Sequence, residues 1–161
     1  MKNFRYIHAI CFIPGLIFLL YTSKLIHANE ISPKDVEKAV TNWVRHVTAD
    51  ARKDATVIKL ETYHLDSTYF AYIAHLDQKG FCLCGADNMV LPVYLYSPSG
   101  EYDPANPSYQ YILRDIAERQ KYYTEGIDRG DPEIMQCRDI FEKRKQDWLD
   151  LISGNVQRIK H

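Results

Sequence analysis

Gly80-Phe81-Cys82-Leu83-Cys84-Gly85-Ala86-Asp87-Asn88, followed closely by Pro92-Val93-Tyr94-Leu95-Tyr96-Ser97, is the stretch that decides the fold. Phe81 to Cys84 is a short apolar run between glycines, the length of a buried strand and too short for a helix. Asp77-Gln78-Lys79-Gly80 leads into it with turn chemistry. Pro92 to Tyr96 reads as the next strand, and Pro92, lacking an amide donor, belongs at its start or on an edge. Moving towards the N-terminus, Tyr69, Ala71 and Ile73 point one way and Phe70, Tyr72, Ala74 and Leu76 the other. Asp66-Ser67-Thr68 turns the chain back to Thr56–Leu65, where Ile58 and Leu60 share a face opposite Lys59 and Glu61. Connections this short predict an antiparallel meander of about four strands.

Helical sequence flanks the strands. Ser32-Pro33 is a start signal: a capping hydroxyl, then a residue whose missing N–H is not needed there. Val36, Ala39, Val40, Trp43, Val44 and Val47 follow as one apolar stripe that a sheet must cover. Beyond Tyr96, Ser97-Pro98-Ser99-Gly100 and Asp103-Pro104-Ala105-Asn106-Pro107 form a long turn region. Ser108 is the expected cap of a second helix bearing Tyr109, Ile112, Leu113 and Ile116. Gly126 to Pro132 is expected to break it. A last helix carries Ile134, Cys137, Ile140, Phe141, Trp148, Leu151 and Ile152. The fold class is α+β: an antiparallel sheet packed by an N-terminal helix, with one or two C-terminal helices.

The ends set the cellular context. Lys2 and Arg5 precede the apolar run Ile7–Leu20, and Ile26-His27-Ala28 offers a small residue for cleavage, the pattern of a secretory signal peptide over residues 1–28. The run is shorter than the roughly 20 residues that span a bilayer, which argues against an anchor. Ile10 before Cys11 is not the small residue a lipid-attachment site needs. The expected product is secreted or periplasmic, with no membrane association after cleavage. Removing Lys2, Arg5 and Lys24 while losing no acid takes the formal charge from −1 to −4. That balance leaves no basic footprint for nucleic acid.

Cys82, Cys84 and Cys137 remain after cleavage, an odd number. Cys82 and Cys84 sit two apart on one strand face, so a bond between them distorts the strand. Either pairs with Cys137, or all three are buried thiols, and the apolar setting favours the thiols. A cysteine nucleophile needs a histidine base in space, and His46, His64 and His75 are the candidates, but no local signature of a catalytic cysteine surrounds any of the three. A lone Cys-x-Cys without a second spaced pair is weak for zinc. Phosphate-binding glycine loops and dinucleotide fingerprints are absent from the sequence. Asp87, Glu101 and Asp103 read as turn formers, and Arg129-Gly130-Asp131 as an interhelical turn. No catalytic residue, metal site or cofactor is therefore assigned.

Gly80–Asn88, the Pro92–Ser97 strand and the turn Ser99-Gly100-Glu101-Tyr102-Asp103 together resemble the propeptide of the streptopain family of cysteine proteases and the related stand-alone streptopain inhibitors. The pattern is Gly-Phe entering an apolar strand that ends in a small residue and Asp. A Pro-led strand then finishes in Tyr-Ser, and a Ser-Gly-x-aromatic-Asp turn follows. The order of elements from Ser32 to Gln120 fits as well. Departures are Cys82 and Cys84 at usually aliphatic positions and His75 where Asn is common.

The resemblance implies a domain over residues 29–120 with a helical extension over 121–161. The protease domain is absent, so the implied role is not that of a zymogen. It implies inhibition of a streptopain-like cysteine protease by occlusion of its active-site cleft, or an exported binding domain that keeps the fold without inhibiting. Loops on a rigid sheet carry recognition, which makes Asp87, Asn88 and Met89 in one turn, and Ser99, Gly100, Glu101, Tyr102 and Asp103 in the other, the expected protease contacts.

Overall fold

Ser32 Oγ accepts a hydrogen bond from Asp35 N at 3.2 Å, and Pro33 opens α1 (Pro33–Val47), so the capping signal works as expected. In this computed structural model, which describes residues 28–49 and 51–156, α1 precedes four strands, β1 (Val57–His64), β2 (Phe70–Leu76), β3 (Phe81–Cys84) and β4 (Val93–Ser97). They form one antiparallel sheet in the order β1-β2-β3-β4. The β1–β2 hairpin closes on Asp66, whose Oδ1 accepts from Thr68 N and Tyr69 N, each at 2.8 Å. The expected signal peptide lies before the first described residue apart from Ala28. No helix among the described residues is long and apolar enough to cross a membrane.

Three helices follow: α2 (Pro107–Asp128), the short α3 (Pro132–Gln136) and α4 (Arg138–Ser153). Two boundaries differ from the sequence expectations, and one falls as expected. α2 is capped by Asn106, whose Oδ1 accepts from Ser108 N at 2.9 Å, so Ser108 lies inside the first turn. α2 ends at Asp128, inside the Gly126–Pro132 stretch expected to break it, with Gly126 itself still helical. A Cβ on Gly126 would come within 2.6 Å of Ile134 Cγ1, so this glycine lets α3 pack closely. The expected single last helix is divided at Cys137.

Strand alternation sorts the core into two layers. Tyr72, Ala74, Leu76, Cys82 and Cys84 face α1 and share a cluster with Val36, Val40, Val44, Trp148 and Leu151. Ala71, Ile73, Phe81 and Leu83 face α2 through Leu113 and Ile116. The sheet is thus covered on both sides, which is why β3 is wholly buried. Burying each large side chain contributes roughly 1.5–3 kcal/mol. α4 supplies Trp148 and Leu151 to the α1-side core, and residue 120 falls within α2, so the helical residues after 120 pack with the sheet domain. Ile58 departs from its expected face: a bulge between Val57 and Lys59 breaks the alternation and leaves it 66% exposed.

The three cysteines are free thiols: Cys82 and Cys84 are buried on the α1 face, and Cys137 is half-buried at the α3–α4 junction in a different cluster. Burial pushes the Cys82 thiol up to about 12 and drives Cys84 upward as well. Neither is a thiolate at neutral pH. Iodoacetamide on the native protein is expected to label Cys137 first, with Cys82 and Cys84 labelled only after denaturation; mass spectrometry of the digest reads this. Labelling of Cys82 or Cys84 at the Cys137 rate would contradict their burial.

Candidate functional site

The two candidate turns have opposite fates. The segment Gly85–Val90 is buried, with Asp87, Asn88 and Met89 only 1%, 7% and 1% exposed. The expectation that these three form an exposed contact tip is corrected: the chain on either side encloses them. Ile31 N donates to Ala86 O at 2.9 Å, Asn88 N to Asn29 O at 3.1 Å, and Asn29 N to Asn88 Oδ1 at 3.1 Å. From the other end of the chain, Arg144 Nη1 donates to Met89 O at 2.6 Å and Trp148 Nε1 to Val90 O at 3.0 Å. Met89 packs with Ile134 and Phe141. The segment is a knot between the N-terminal strand-like residues, the sheet and α4.

Asp87 sits inside this knot. Its Oδ1 accepts from Met89 N at 2.7 Å, while Oδ2 is buried without a hydrogen-bond partner. Burial raises its carboxyl above the usual value of 3.8, against the opposing pull of the Met89 and Val90 amides, Gln120 and Arg144. A carboxyl raised on folding takes up a proton more readily in the native state, so its contribution is fully favourable below 3.8 and is lost as pH rises through the folded-state value. In Asp87→Asn this titration is gone. Variant-minus-wild-type stability is therefore expected to rise from acid to neutral pH, whatever constant offset the new amide introduces beside Gln120. Thermal melts across that range test it, and a difference that stays flat would contradict the raised carboxyl.

The second turn, Ser97–Asp103, is pinned by its backbone and open at its side chains. Gly80 N donates to Gly100 O at 2.8 Å, and Ser97 Oγ to Ser99 O at 2.7 Å. Arg52, on the loop before β1, ties it from below: Nη1 donates to Tyr96 Oη and Pro98 O, each at 3.1 Å, and Nη2 to Lys79 O at 2.8 Å. Tyr102 turns inward, its ring 5.7 Å from Phe81, 6.0 Å from Tyr109 and 6.3 Å from His75, and its Oη accepts from Gln110 Nε2 at 2.8 Å. Asp103 Oδ1 accepts from Ala105 N at 2.8 Å and so shapes the exit. Ser99, Gly100, Glu101 and Asp103 are left exposed.

Beneath this turn lies a cleft of about 440 Å³ lined by Ile58, Lys59, His75, Lys79, Glu101 and Tyr102, among others. His75 Nε2 lies 3.2 Å from Glu61 Oε1, to which the Lys59 ammonium is also bonded. Lys59 first, then His75, hold the Glu61 carboxyl below the usual carboxylate range although burial opposes them. The lining contains no Ser, Thr or Cys to serve as a nucleophile. Among the described residues, no group of three or more His, Cys, Asp or Glu side chains is placed to hold a metal ion. The arrangement offers a rigid projecting turn beside a mixed-charge hollow, a geometry for recognising another molecule. His75 was marked only as a candidate base; the bonds of Arg52 and the Glu61–His75 pairing were not, because their partners lie at least 14 positions away.

Comparison of the chain with protein-family models, with curated proteins and with solved structures finds no match in any of the three. The streptopain-propeptide reading therefore rests on the residues of Gly80–Asp103 and their order.

Proposed function

We propose that this chain is an exported, non-catalytic binding protein that inhibits a streptopain-like cysteine protease by seating the Ser97–Asp103 turn in the protease's active-site cleft. The observation that carries the reading is the turn itself: its backbone is held by Gly80, Ser97 and Arg52 while Ser99, Gly100 and Glu101 face outward. A loop already fixed in its binding shape loses little conformational entropy on association. The resemblance of Gly80–Asp103 to propeptide sequence names the partner class, and the buried, neutral thiols fit a protein that blocks a protease without being one.

The test is a titration of the mature protein against a streptopain-like protease, with a papain-like enzyme as control. Reversible, competitive loss of streptopain-like activity is expected, and micromolar affinity needs only about 8 kcal/mol, within reach of an interface of ordinary size. Unchanged activity at high micromolar protein sinks the inhibitor reading. Capture of the protease without inhibition would instead support the binding domain that keeps the fold alone. Equal inhibition of both enzymes removes the family specificity.

A further inference from the structure

Strand β1 ends the sheet, and among the described residues no backbone hydrogen bond reaches its outer edge; its only strand partner is β2. An uncovered edge is a template for a further strand. The bulge that would discourage pairing is confined to Val57–Lys59, and the register from Lys59↔His75 to His64↔Phe70 is unbroken. Two hollows flank the start of this edge on opposite faces of the sheet. One is the cleft lined by Ile58, Lys59, His75 and Tyr102. The other, of about 340 Å³, runs between α1 and Thr56–Val57 and is lined by Lys34, Glu37, Lys38, Thr41, Asn42 and Arg45. A strand laid along β1 sends alternate side chains to opposite faces, one set towards each hollow.

The charges select the occupant. Lys34, Lys38 and Arg45 face Glu37 in the α1 groove; Lys38 is paired with Asp35 at 3.0 Å, and Arg45 Nε is shielded from solvent with no hydrogen-bond acceptor. A guanidinium so placed is matched by a carboxylate, which it can bond in a fork. We infer that the outer edge of β1 binds an extended peptide segment of a partner protein, adding it as a fifth strand, with acidic side chains of that segment in the Lys34–Lys38–Arg45 groove and small apolar ones towards Ile58 and Tyr102. This surface is centred on the β1 edge and shares with the Ser97–Asp103 turn only the cleft that Glu101 and Tyr102 line; edge pairing along β1 does not depend on what the tip of that turn binds.

The experiment uses three fluorescein-labelled peptides with the purified protein and reads fluorescence anisotropy. The first is Thr-Glu-Val-Glu-Val-Glu-Thr; the second replaces each Glu by Lys; the third is the first with every internal backbone amide N-methylated, so that neither edge of the peptide can donate a ladder hydrogen bond. The acidic peptide is expected to bind about tenfold or more tightly than the lysine peptide, and than the methylated one. Arg45→Met with Lys34→Met should abolish the preference for acid while the melting temperature holds. Because the peptides alone decide between edge pairing and simple charge attraction, a poorly folding variant does not blunt the test. Equal binding of acidic and methylated peptides would rule out strand addition. Equal binding of acidic and basic peptides would rule out the carboxylate groove, and absence of acidic-peptide binding at about 1 mM would overturn the proposal altogether.

Discussion

Trp148→Ala is expected to destabilise the protein by about 3–5 kcal/mol, the range for truncating a buried aromatic. Trp148 is 1% exposed, packs among the α1-side core residues, and donates its indole N–H to Val90 O at 3.0 Å. The substitution empties a large volume and also strands the buried Val90 carbonyl. Trp148→Phe separates the two effects: most of the volume stays, and the loss of the hydrogen bond is expected to cost about 1–3 kcal/mol. Denaturant unfolding monitored by circular dichroism measures both. A loss below about 1 kcal/mol for Trp148→Ala would mean that α4 is not integral to the core. Trp43, whose place in the α1 stripe marks it as an equal anchor in the sequence, is only half-buried, edge-on to Tyr96 at 5.8 Å, and the heavier role passes to α4.

Gly80→Ala carries the second large effect. Gly80 has φ +89°, and a Cβ there would stand 2.4 Å from Ser97 O and 3.0 Å from the Pro98 carbonyl carbon. Backbone strain and this collision together are expected to cost about 3 kcal/mol or more. The collision is with the base of the Ser97–Asp103 turn, so the turn must shift and its bond to Gly80 N must lengthen. Gly100→Ala is the control: φ is +82°, but nothing lies within 4 Å of the added carbon, so only the strain of about 1 kcal/mol remains. Thermal and denaturant melts of the two variants read the difference. Equal losses would mean that the two turns are not in contact as described.

The sheet was legible because period-two alternation in β2 and the glycine-bounded run of β3 are local signals, and both strands fall where the pattern puts them. The α1 cap was legible for the same reason, since Ser32 and Asp35 are three residues apart. What stayed hidden depends on distant partners. Asp87-Asn88-Met89 has turn chemistry, but burial there is decided by Asn29, Arg144 and Trp148, which approach from the two ends of the chain. One signal did point inward: Met89-Val90 is apolar, and both are buried, although Leu91 beside them is exposed. The Gly126–Pro132 stretch does end α2, at Asp128, but that Gly126 itself serves close packing against Ile134 is a contact the composition does not announce. Ile58 follows the strand pattern and is thrown outward by a bulge that no local residue announces. Of the candidate contact residues, the turn from Ser99 to Asp103 is presented as its sequence suggests, except that Tyr102 points into the domain.

On the reading proposed above, the exposed face of the Ser97–Asp103 turn is the inhibitory surface. Glu101 isolates it: the side chain is exposed at the turn tip, and no hydrogen bond or ion pair from it is seen among the described residues. The measurement is the inhibition constant of Glu101→Arg against a streptopain-like protease, beside that of the wild type, with the melting temperature of each. Inhibition is expected to weaken by about tenfold or more, as for a charge reversed within an interface, while the melting temperature stays within a degree or so. A Glu101→Arg protein that inhibits as well as the wild type would contradict it.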